Sequence, residues 1–352
     1  MADNITYSIS RLDAINRCLY EAYRTYILDE RGEKNIYTIL GSSIHECLEN
    51  IINNRATEKD LLFAMQNELE TLDMLGLDFP KDIRGENSIK TNWIANMTHF
   101  CTKYKSPKKK HLKAEELVKY TTPKGYSMQG YVDLIWQHDN VVDIYDYKTS
   151  SLYSKTDLKE HGRQLVFYGL ALEAQGYKVR SINWIFTKYV DVNYLGYKTI
   201  KSKKKTDIHK IIERRKINIE LSDPMINALK DMNYDDLDIE MIIDDFKETN
   251  VVPKQLSRQF KIRPCVIEYD FTEETKTECL EYIEDTIEKW ESYSKEDKIN
   301  NHRDFTRIQK NGKVINDIYY CTSLCPHKKT CPYLSDFIDQ LEQSKNEDDL
   351  FS

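Results

Sequence analysis

At 352 residues, 40% hydrophobic and 31% charged, the chain can build a well-covered core, and no stretch approaches the roughly 18 uninterrupted apolar residues of a membrane span. A formal net charge of −7 argues against a protein that coats nucleic acid through overall charge, so local patches carry more information than the total. The first residues, MADNITYSISRLDAINRC, lack the basic flank and apolar segment of a secretory signal. A reducing cytoplasm is therefore expected, bacterial or viral inside a host cell, with no disulfides among the eight cysteines.

Taken in chain order, apolar residues at helical spacing (Leu12, Ile15, Leu19, Ala22, Tyr23, Tyr26) predict one helix over 8–29, capped by Ser8 or Ser10 and carrying Cys18. Gly41, Ser42 and Ser43 are expected to open a second helix through about Asn53, and helical patterns follow near 58–73 and 87–104. Then β-branched and aromatic residues predict strands over 112–121, 126–138 and 141–148, a buried helix over 159–175, and a buried strand over 180–189. Strand hairpin, helix and strand together predict an α/β fold with a mixed central sheet flanked by helices. Residues 201–260 are polar with a helical pattern, 263–271 can return a strand to the sheet, and Thr272 starts a long helix without a capping box, because Thr275 is neither acid nor amide. Two basic runs, KYKSPKKKHLK (103–113) and KSKKK (201–205), are either contacts for a nucleic-acid backbone or solvated loops.

The chemistry concentrates in GYVDLIWQHDNVVDIYDYKTS (130–150). A two-residue turn at Asp139 and Asn140 would set Asp133 opposite Asp146, Ile135 opposite Ile144 and Tyr131 opposite Lys148, all on one face. Two carboxylates with Cβ atoms about 5 Å apart repel unless a cation lies between them. Oxygen ligands so placed suit Mg²⁺ or Mn²⁺, and Lys148 could hold an attacking water or charge developing on phosphorus. Elsewhere, Gln164 and Tyr168 share a helix face at i and i+4, and His45 borders the apolar stripe of Ile44, Leu48, Ile51 and Ile52. Cys321, Cys325 and Cys331 in CTSLCPHKKTCP call for a metal in a reducing compartment, either zinc or an iron-sulfur centre, each wanting four ligands.

Asp133 followed by Asp146-Tyr147-Lys148-Thr149 resembles the core of the PD-(D/E)xK nuclease superfamily, in the DYKT form of RecB-like members, including CRISPR-associated and AddB-type nuclease domains. Gly41 and His45 match the G-x-x-x-H spacing of those members, and Gln164 and Tyr168 match their Q-x-x-x-Y; either Glu115 or Glu116 resembles the acid on the family's preceding strand, outside the core site. The resemblance implies a restriction-endonuclease-like core with Asp133, Asp146, Lys148, Gln164 and Tyr168 catalytic and His45, Asp133 and Asp146 holding Mg²⁺ or Mn²⁺. It further implies a 4Fe-4S cluster on Cys18, Cys321, Cys325 and Cys331 that joins the chain ends, although the gap between Cys321 and Cys325 is one residue longer than the commoner family spacing. The expected organisation is one nuclease domain over 1–340: helical 1–110, a catalytic core 111–190, a helical insertion 191–262, a cysteine-bearing part 263–340, and an acidic disordered tail 341–352. The implied activity is a metal-dependent DNA exonuclease acting on ends or single strands in recombination, repair or viral replication, with a helicase or recombination protein as a further partner. The alternatives are a DNA-end-binding module and a CRISPR-type processing subunit, both on the same fold.

Overall fold

The computed structural model describes residues 5–82, 84–108, 110–155, 157–197 and 204–350, with backbone alone for 344–350. In chain order the elements are β1 (Thr6–Tyr7), α1 (Ile9–Arg17), α2 (Leu19–Tyr26), α3 (Ile36–Ile52), α4 (Asp60–Met74), α5 (Ser88–Lys103), β2 (Leu112–Thr121), β3 (Ser127–His138) and β4 (Val141–Lys148). They continue with α6 (Asp157–Ala174), β5 (Lys178–Tyr197), β6 (Lys205–Glu213), α7 (Ile217–Asp231), α8 (Asp236–Thr249), β7 (Phe260–Tyr269), α9 (Glu273–Ser292), α10 (Lys295–Asn300), β8 (Thr306–Ile308), β9 (Val314–Asn316) and α11 (Pro332–Leu350). No helix among the described residues is long and apolar enough to cross a membrane.

Seven strands form one mixed sheet. The β3–β4 hairpin turns at Asp139, whose left-handed φ of 52° suits an aspartate, and Ile135 pairs with Ile144 as expected. β4 then runs parallel to β5 across the α6 crossover, while β7 lies antiparallel along the other edge of β5. One face of the sheet is covered by α1, α6 and α9 through Leu12, Leu165, Phe167, Ile283 and Trp290. The opposite face is covered by α3, α4 and α5 through Leu40, Ile44, Met65, Trp93 and Phe100. The middle of β5 is largely buried because both faces are covered there.

Several expectations are corrected. The single first helix is two, broken at Cys18, whose extended backbone ends α1 and starts α2 while its Sγ accepts a hydrogen bond from the Glu21 N–H at 3.4 Å. The next helix begins at Ile36, capped by Asn35, so Gly41 lies within it rather than opening it. A strand, β6, occupies 205–213, where a helical pattern was read, and the core boundary placed at 190 falls inside β5. α9 does have a capping box: Thr275 supplies a hydroxyl that accepts from the Thr272 N–H at 3.0 Å, doing what a glutamate side chain would do. α11 runs as far as Leu350, through most of the segment expected to be a disordered tail.

Gly169 on α6 is a point of close approach, since a Cβ there would lie 2.4 Å from the ring of Phe271. Gly169→Ala is expected to destabilise the protein by about 1–3 kcal/mol, the usual range for overpacking, read as a lower urea midpoint. An unchanged midpoint would mean that the Phe271 ring yields at no cost.

Candidate active site

The site forms where β3 and β4 part company. Their ladder ends with Leu134 against Tyr145, and the Tyr147 N–H donates to Asp133 Oδ2 at 2.7 Å instead of to a strand partner. The expected ladder pairs Asp133/Asp146 and Tyr131/Lys148 do not form. Strict alternation also breaks at this point: Val132 and Ile135 both join the core beneath α6, while Leu134 joins the opposite core. Asp133 thus occupies an irregular position that side chains from different layers can reach.

From α3, His45 Nδ1 approaches Asp133 Oδ2 to 3.3 Å. Gly41, one turn earlier, faces the end of β4, where a Cβ would meet Thr149 Oγ1 at 3.5 Å, an ordinary van der Waals contact. From β2, Glu115 completes a group with His45 and Asp133 whose ligand atoms lie within 4.8 Å of one another. Glu115 adopts a φ of 51°, a strained conformation for a glutamate inside a strand and one that often marks a functional site. Sequence reasoning noticed an acid here but did not choose between Glu115 and Glu116; Glu116 is exposed.

Asp146 stands apart from that trio. Its side chain is 3% exposed and Oδ2 lies 2.6 Å from Lys148 Nζ, an ion-pair contact that lacks hydrogen-bond direction and leaves the oxygen unsatisfied. Lys148 Nζ also donates to Gln164 Oε1 at 3.0 Å, and Gln164 Nε2 donates to Tyr168 Oη at 2.9 Å. The i and i+4 pair on α6 therefore forms a relay ending on Lys148. Gly130 on β3 makes room for it, because a Cβ there would lie 2.8 Å from the Tyr168 ring.

Burial dominates the electrostatics. It raises the Asp146 pKa, with Lys148 opposing and Asp133 adding to the rise; for Lys148 burial is the largest single effect and lowers its pKa, but Asp146, Tyr153 and Asp133 together prevail and raise it, so it stays protonated. Burial also raises Glu115, with Asp133 adding to the effect. For His45 burial favours the neutral ring, yet the hydrogen bond and charge of Asp133 prevail and raise its pKa. The donor set is one imidazole and clustered carboxylates, including an unsatisfied buried oxygen, and this fits a hard divalent cation with oxygen and nitrogen ligands.

The four predicted cysteines converge as well. Cys18, Cys321, Cys325 and Cys331 line one small cavity between the chain ends, with Glu21, Arg303 and His327 in its wall. Cys321 lies on a single π-helical turn, Tyr320–Leu324. Tyr320 Oη donates to both oxygens of the buried Glu21, at 2.8 and 3.0 Å. Burial raises the Cys321 thiol to about 11 and the Cys325 thiol to about 12, and neighbouring acids and thiols add to both. The remaining cysteines, Cys47, Cys101, Cys265 and Cys279, are buried in the cores, as expected for small apolar residues.

The basic runs are less committed to a ligand. Lys105 pairs with Glu58 at 3.2 Å and Lys205 with Asp231 at 2.6 Å, and residues 201–203 of the second run lie outside the described residues.

Among protein families, the model of the PD-(D/E)XK nuclease superfamily matches residues 6–332. A search of curated proteins finds no significant match.

Proposed function

The chain belongs to the PD-(D/E)XK nuclease superfamily, and we propose that within it this protein is a RecB-like, metal-dependent DNA exonuclease that hydrolyses phosphodiester bonds at ends or in single strands. The observation that carries this reading is the linked set His45, Asp133, Asp146, Lys148, Gln164 and Tyr168, assembled from α3, β3, β4 and α6 at one fork in the sheet.

His45, Asp133 and Asp146 would hold Mg²⁺ or Mn²⁺, and Glu115 is close enough to join them. When bound, the ion supplies a Lewis acid for the phosphoryl oxygen and acidifies water. Lys148, held by Asp146 and Gln164, presents a fixed ammonium to the charge that develops on the phosphate. Tyr168 and Gln164 fix the direction of that ammonium, so the side chain reacts without having to be reordered.

A 4Fe-4S cluster on Cys18, Cys321, Cys325 and Cys331 is part of the same proposal. Four cysteines around one cavity support a thiolate-bound group. A role in recombination, repair or viral replication, beside a helicase or recombination protein, completes the reading.

Digestion of 5′- and 3′-labelled DNA, single- and double-stranded, linear and circular, with Mg²⁺ or Mn²⁺, tests the activity. Linear single strands are expected to shorten from an end while circles stay intact. Cut circles would make the protein an endonuclease, and DNA bound but never cut would make it a binding module.

A further inference from the structure

A recess of about 720 Å³ lies beside the nuclease motif rather than on it. Thr149, Ser150 and Ser151, which directly follow Lys148, form one wall. Tyr319 and Leu324, which bracket Cys321, also line it, with Trp93 and Lys188. The catalytic trio's own cleft, lined by Glu115, Asp133, Gln164 and Tyr168, is a separate cavity. Thus two recesses lie near the motif, one lined by part of the reaction centre and one that the proposed chemistry leaves unused.

Three features of the second recess point to a nucleotide. Lys188 is half-buried in it and, among the described residues, has no ion pair; its ammonium donates only to Ser151 Oγ at 3.3 Å. Glu213, the acid that acts on Lys188, is already engaged: burial raises its pKa, but hydrogen bonds from Arg215, Asn96 and Lys216 hold it at about 2. A half-buried ammonium beside a hydroxyl suits a phosphate oxygen. Tyr319 and Tyr37, from distant parts of the chain, both line the recess and add aromatic faces, and Tyr319 is 51% exposed. Aromatic faces beside a backbone phosphate site make a stacking platform for unpaired bases. The volume lies within the roughly 300–1,000 Å³ range of pockets that hold one compact ligand, and a base-paired helix cannot enter it.

We propose that this recess binds the nucleotide adjoining the scissile phosphate, with its phosphate on Lys188 and Ser151 and its base against Tyr319, and that it selects unpaired DNA. The proposal rests on the nuclease reading for the direction of the strand, which passes over the end of β4 from one cavity to the other. It gives the cysteine segment a second task, because the turn that carries Cys321 also supplies the wall on which the base stacks.

The test measures binding without cleavage: fluorescence polarisation of a fluorescein-labelled oligothymidylate with the full chain in EDTA. Lys188→Met, which keeps the aliphatic stem, is expected to weaken binding about tenfold and to lower the salt slope by about 0.7, the loss of one single-strand phosphate contact. Tyr319→Ala, at a half-exposed position that folding tolerates, is expected to weaken binding about tenfold through lost stacking. Wild-type affinity in both variants overturns the inference, as does a blunt duplex that displaces the labelled strand as well as unlabelled strand does. Protein that binds through Lys188 but never cleaves with Mn²⁺ overturns the nuclease reading and leaves the recess assignment standing. Protein that cleaves, with Lys188→Met binding unimpaired, does the reverse.

Discussion

Lys148→Met is expected to lower Mn²⁺-dependent cleavage of labelled DNA by at least about 10²–10³-fold, the loss that follows removal of one preorganised charge from a transition state. The same change removes the partner of a carboxylate whose side chain is 3% exposed, and breaking a buried pair from one side costs about 3–5 kcal/mol. Activity could therefore fall for a structural reason. The double variant Asp146→Asn, Lys148→Met separates the two, since it leaves no unpaired charge: stability should recover while cleavage stays absent. Recovery of cleavage with stability would show that the pair only holds the fold together. The stability loss in Lys148→Met also carries a pH signature. Asp146 has a raised pKa in the folded protein, because burial outweighs Lys148, and without Lys148 it rises further. A group whose folded pKa exceeds its unfolded value contributes most stability below the unfolded value, about 3.9 for aspartate, and loses that contribution as pH rises through the folded value. The gap in stability between wild type and Lys148→Met should therefore be wide at pH 8 and shrink as pH falls toward about 4. Urea titrations at several pH values read this directly, and a gap that widens in acid would contradict it.

What the sequence made legible divides along physical lines. The hairpin turn and the pairing of Ile135 with Ile144 follow from turn chemistry and a period of two, both local, and both are present. The partnering of Asp133 was not local. It depends on the Tyr147 N–H leaving the ladder for a carboxylate, on His45 arriving from α3, and on a left-handed Glu115, none of which alternation encodes. Gly41 is no helix opener because Asn35 caps α3 six residues earlier, and glycine, a breaker in isolation, is tolerated inside the helix. KTDIHKIIE at 205–213 was read as helix because its neighbours are helical; it became β6 because the far half of β5 extends beyond β4 and offers an open edge. Gln164 and Tyr168 were legible because helical spacing alone puts them together, and their relay to Lys148 needed no tertiary accident beyond the position of α6.

Cys331→Ser gives the second large expected effect, on stability and colour rather than chemistry. Anaerobically purified wild-type protein is expected to be brown, with broad visible absorbance, and the variant to lose most of it. The reason for the stability loss lies in where the ligands come from. Cys18 lies between α1 and α2, and Cys331 immediately precedes α11, so a shared metal group closes nearly the whole chain into one loop. Protein contacts also hold that junction, among them the Arg24 guanidinium to Thr330, Thr25 with His327, the Tyr320 hydroxyl to Glu21, Lys329 with Glu33, and the Glu33 N–H to the Pro326 carbonyl at 2.8 Å, and a metal group would add to them. Gly32 sits against Pro326 so closely that a Cβ would lie 2.4 Å from its carbonyl oxygen, which shows how tightly the ends are drawn together. Binding free energy at such a junction is folding free energy, so its loss should lower the melting temperature by on the order of 10 °C. The effect on cleavage should be smaller and confined to substrate affinity, because the cysteine segment reaches the strand only through Tyr319 and Leu324 and does not touch Lys148 or Asp133. Colourless wild-type protein with stoichiometric zinc would replace the cluster by a single ion, and equal melting of loaded wild type and Cys331→Ser would remove the stapling role altogether.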